Sequence, residues 1–127
     1  MMVVGMGLAA SCTDDPSVVG LGVLTSRGDP HVTVPDVVDV GEVFTVEVQT
    51  FGNSCFAAES TDVEMTSEGA TVTVYDRDPQ GRCTADIAAV EHHTTLHFDT
   101  AGMKVITIHG WDMGHHDFYW PVAVTAQ

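Results

Sequence analysis

The chain has 127 residues, enough for one domain with one core, and 44% of them are apolar, which argues against a disordered acidic tail. Asp and Glu number 18 against four Lys and Arg, giving a formal net charge of −14. Nucleic acid is therefore a poor partner, since a phosphate backbone needs a basic stripe, and an anionic membrane surface would repel the folded domain; the acidity itself reads as solubility.

Residues 1–11 are uncharged and too short to span a bilayer. They read as the remnant of a signal-peptide apolar region without its basic start, as a start codon placed too far downstream would leave it. Residues 8–12, LAASC, resemble the lipobox of bacterial lipoproteins, where cleavage falls before a cysteine that then receives lipid. The leucine stands four places before the cysteine instead of three. The resemblance implies lipidation of Cys12, a short polar spacer over 12–17 and a domain over 18–127. It also implies export to the cell envelope with a lipid anchor in a bacterial membrane. The alternative is an apolar N-terminus with a free thiol. Removing Cys12 leaves an even pair, Cys55 and Cys83, with no CxxC and no zinc-ribbon spacing, as an oxidising compartment favours. A bridge between them would close a loop of about 29 residues and contribute about 3.6 kcal/mol in the chain-entropy account.

The rest of the chain alternates. Residues 17–25 suit a first strand weakened by two glycines, and 26–30, SRGDP, a turn. The Arg27-Gly28-Asp29 tripeptide inside it is explained by that turn without a receptor. After Gly41, Phe44, Val46 and Val48 form an inward face at period two. Residues 61–66 and 70–76 are rich in Val and Thr, as strands prefer, with a bend at Gly69. Residues 77–91 read as a long connection, in which Thr84 can cap one helical turn over 85–90. In 92–99, His92, Thr94, Leu96 and Phe98 share one face, and His93, Thr95, His97 and Asp99 the other. Residues 103–110 follow with Ile106 and Ile108 inward, and 118–127 form a last strand whose Pro121 suits an edge. Seven or eight short strands with turns between them predict an all-β fold, an antiparallel β-sandwich.

The run over 34–52, the two cysteines, and residues 96–98 and 101–110 resemble small bacterial lipoproteins with an immunoglobulin-like sandwich, many without assigned activity. Unlike antibody domains, the chain carries Val48 and Ile106 where central-strand cysteines would stand, and Lys104 where a tyrosine corner would be. Residues 98–116 also resemble the end of a cupredoxin, but no cysteine follows Cys83, so the thiolate of a type 1 copper site is missing.

Seven histidines are many for this length. His31 and His97 read as surface residues. His93 and His97 miss the zinc-protease pattern HExxH, because Thr94 stands where the glutamate belongs. In a simple sandwich order, His92 and His93 begin a strand at the end of the fold where His109 finishes one. His115, His116, Asp112 and Asp117 lie in the loop between strands there, and Cys55 and Cys83 fall at the same end. His92, His93, His109, His115, His116 and Asp112 are thus the candidate ligands for zinc, copper or nickel, with Asp117 as a further carboxylate. The competing reading is a recognition loop in which Trp111, Phe118 and Tyr119 supply contact area to an extracytoplasmic protein or glycan. No GxSxG elbow or glycine-rich phosphate loop occurs, so a non-enzymatic binding or structural module is expected.

Overall fold

The computed structural model describes residues 17–25, 29–80, 83 and 87–126. Cys12, the apolar start, most of the polar spacer and residues 26–28 lie outside them. The described residues form nine strands: β1 (Val18–Leu21), β2 (Val32–Thr33), β3 (Val37–Asp39), β4 (Phe44–Gly52), β5 (Ala57–Thr66), β6 (Gly69–Asp78), β7 (Ala88–Leu96), β8 (Gly102–Trp111) and β9 (His115–Thr125). They make a β-sandwich of one six-stranded sheet, β1-β6-β8-β9-β3 with β5 on the other edge of β6, and one three-stranded sheet, β2-β4-β7.

The core follows from the alternation. Val46, Val48, Ile106 and Ile108 are at most 1% exposed, and Phe44, Leu96 and Phe98 are also buried. Ile106 and Ile108 share the larger sheet with Val72, Val74, Val122 and Val124, which belong to the same buried cluster as Phe44, Val46, Val48 and Leu96 of the smaller sheet. Branched side chains keep few rotamers and pack well on a pleated surface, which is why these Val-rich runs form strands.

Three features differ from the sequence expectation. Two extra short strands, β2 and β3, flank Pro35, which cannot donate to a ladder and so divides the segment. Two strand pairs are parallel, β3 with β9 and β6 with β8, so the larger sheet is mixed. No helical turn occupies 88–90: these residues begin β7 and pair with residues 50–52 of β4, while 84–86 lie outside the described residues. β7 therefore starts four residues before His92.

Strands β4, β6 and β8 end, and β7 begins, at one end of the sandwich, here called the apex. Cys55 and Cys83 are disulfide-bonded there, with Cα atoms 6.0 Å apart. The segment after β1 ties the sheets together at the same end: Phe51 N donates to Val23 O at 2.9 Å and Trp111 N to Gly22 O at 2.8 Å. Gly110 makes this approach possible, because a Cβ there would stand 2.8 Å from Gly22 O and 2.6 Å from Leu24 Cγ.

Candidate metal centre at the apex

The β8–β9 hairpin carries the site. Its register pairs His109 with Asp117, Gly110 with His116 and Trp111 with His115. Residues 112–114 make the turn, with Met113 and Gly114 at positive φ (58° and 132°). Period two then puts His109, Trp111, His115 and Asp117 on the outward face of the larger sheet, and His116 on the opposite face of β9.

On the outward face, His109 lies between two partners. Its Nδ1 is 2.5 Å from Asp117 Oδ1, and its Nε2 is 3.4 Å from His115 Nδ1. Trp111 meets His115 edge to face, with ring centroids 5.9 Å apart. A carboxylate on Nδ1 calls for the proton on that nitrogen, which leaves the Nε2 lone pair directed at His115 Nδ1. Two imidazole nitrogens bound to one tetrahedral ion at roughly 2.0–2.1 Å lie roughly 3.3–3.4 Å apart. The His109–His115 pair already has that spacing, and Asp117 stands on His109 as carboxylates stand on the ligating histidines of metal sites.

The hairpin thus brings together His109, His115 and Asp117. The other predicted residues stand elsewhere. His92 is 1% exposed and lies in the core. Its Nε2 donates to Asp76 Oδ1 at 2.7 Å and its Nδ1 lies 2.9 Å from Thr61 Oγ1, while Thr50 Oγ1 donates to Asp76 Oδ2 at 2.5 Å. His93, opposite Glu47 on β4, faces outward on the smaller sheet. His116 packs on Phe118, with centroids 4.5 Å apart. Asp112 accepts from Thr25 Oγ1 at 2.8 Å and so anchors the hairpin to the segment that follows β1.

His93 belongs to a second donor group that sequence reading missed. It stands with Glu47 and Glu91, one ligand atom of each within 4.8 Å of the others. The signal was the cross-strand register of β4 and β7, a long-range quantity. All three residues are exposed, and Glu91 Oε2 already accepts from Gln49 Nε2 at 2.6 Å. These ligand atoms would have to close to roughly 3.3 Å to share an ion, which the His109–His115 pair need not do.

Comparison with known protein families, curated proteins and solved structures finds no match. The metal reading therefore rests on the hairpin geometry alone.

Proposed function

We propose that the chain is an exported, lipid-anchored binding module without catalytic activity, whose apex takes a divalent transition metal through His109 Nε2 and His115 Nδ1. The observation that carries the metal reading is the 3.4 Å separation of those two nitrogens with Asp117 behind the first. Imidazole pairs suit zinc, copper and nickel. Two protein ligands leave coordination positions to water or an incoming ligand, unlike a closed structural zinc site. An exchangeable metal fits a carrier or buffer better than a structural role. The Cys55–Cys83 bridge supports export, since disulfides persist in oxidising compartments.

A second reading is favoured by one observation. Trp111 and Tyr119, 42% and 64% exposed, lie beside the histidines on the same face. Such aromatics give contact area to a protein or glycan partner.

Elemental analysis of protein purified from its native host tests the metal reading. Near-stoichiometric zinc, copper or nickel is the expected result, and a metal-free protein contradicts it. Intact mass tests the anchor: cleavage before Cys12 with added acyl mass is expected, and an unmodified Met1 start contradicts it.

A further inference from the structure

The six-stranded sheet is wider than the three-stranded sheet packed on it, so the inner side of β5 is covered at Thr61, which bonds His92, and left open beyond it. Val63 and Met65, opposite Val72 and Ala70 of β6, point the same way as core residues yet are 37% and 47% exposed. Between β5 and the end of β7 lies a cavity of about 470 Å³, far from the apex and walled by these two residues, Leu96 and Phe98. Its size falls in the range of roughly 300–1,000 Å³ typical of small-molecule sites.

Lys104, the chain's sole lysine, lines this cavity at 7% exposure. Its ammonium donates to Ser67 O at 2.9 Å and Thr100 Oγ1 at 2.8 Å. Among the described residues it makes no ion pair; Asp99, also in the cavity wall, pairs with His97 at 3.4 Å. An ammonium has three donors, and burying a charge without a counter-charge is costly. In a chain of net charge −14, a carboxylate partner for it would be easy to supply, yet the lysine stands beside an apolar hollow without one.

We propose that this cavity binds a single-chain amphiphile with a carboxylate head, its alkyl tail against Val63, Met65, Leu96 and Phe98 and its head on Lys104. The probes are decanoate and decyltrimethylammonium, titrated calorimetrically into the full chain below their micelle concentrations. The net charge of the protein attracts the cation and repels the anion, so a preference for the anion requires a local positive group. Decanoate is expected to saturate at one per chain and to bind about tenfold more tightly than the cation, and Lys104→Met to weaken it about tenfold, as loss of a charged hydrogen bond would. Val63→Glu, at an exposed wall position, leaves Lys104 in place and is expected to weaken decanoate about as much. It keeps the test decisive if the Lys104 variant fails to fold. Absence of saturable decanoate binding, tighter binding of the cation, or unchanged decanoate affinity in a folded variant would overturn the proposal.

Discussion

Two histidine–aspartate pairs in this molecule have similar bonding and opposite surroundings. His92 and Asp76 lie between the sheets, with side chains 0% and 4% exposed. Their remaining polar atoms are taken by Thr61 and Thr50. His109 and Asp117 lie on the outward face of the hairpin at 28% and 42%, and the second ring nitrogen of His109 meets another imidazole. Burial with every polar atom partnered makes the first pair a structural cross-link between β4, β5, β6 and β7. Among the described residues no buried side-chain polar atom lacks a partner. Exposure, and a second ring nitrogen that meets another imidazole instead of a buried hydroxyl, set the second pair apart. Enclosure and the identity of the third partner decide the role more than the imidazole–carboxylate contact does.

The comparison is most easily broken by removing one half of each pair. His92→Ala leaves the Asp76 carboxylate buried without its imidazole and is expected to cost about 3–5 kcal/mol in urea unfolding. His109→Ala, on the surface, is expected to cost no more than about 1 kcal/mol in the same measurement. Equal losses would mean that the two pairs are not different in kind. Replacing both cysteines of the bridge by Ala is expected to cost about 3.6 kcal/mol while leaving the core network in place, so the imidazole signals of His92 in an NMR spectrum should stay put. Asp117→Asn removes the group that orients His109. It should lower metal affinity by about 10–100-fold with little change in stability. A variant with unchanged affinity would show that His109 needs no such support. The smallest effect is expected from His116→Ala, on the other face of β9. Its change in metal affinity should stay within about twofold, and a larger loss would put the ligand set on the wrong face.

Much of the core was legible in the sequence because strand alternation is local. Phe44, Val46, Val48, Leu96, Phe98, Ile106 and Ile108 are buried as their period-two spacing requires. The Cys55–Cys83 pairing followed from counting. The start of β7 did not, since Ala88-Ala89-Val90 after a Thr cap serves a helical turn as well as a strand. That four-residue shift moved His92 from the apex to the middle of a strand, opposite Val48. Its partners Asp76 and Thr61, and Thr50 behind Asp76, come from three other strands, and their register is set by the assembled sheets. The place of Lys104 beside the β5 cavity was equally hidden, because the uneven widths of the two sheets are a property of the whole fold. At the hairpin, by contrast, the short turn around Gly114 sets which aspartate opposes His109, and it selects Asp117 over Asp112.

The central claim is that His109 and His115 form one metal-binding unit distinct from the other histidines. Calorimetric titration of Zn²⁺ and Cu²⁺ into the wild type, His109→Ala/His115→Ala and His93→Ala tests it most directly. The account predicts one saturable site of micromolar or tighter affinity in the wild type and in His93→Ala, and its loss in the double variant. Binding that survives in the double variant, or that vanishes in His93→Ala, would contradict it and move the site to Glu47, Glu91 and His93.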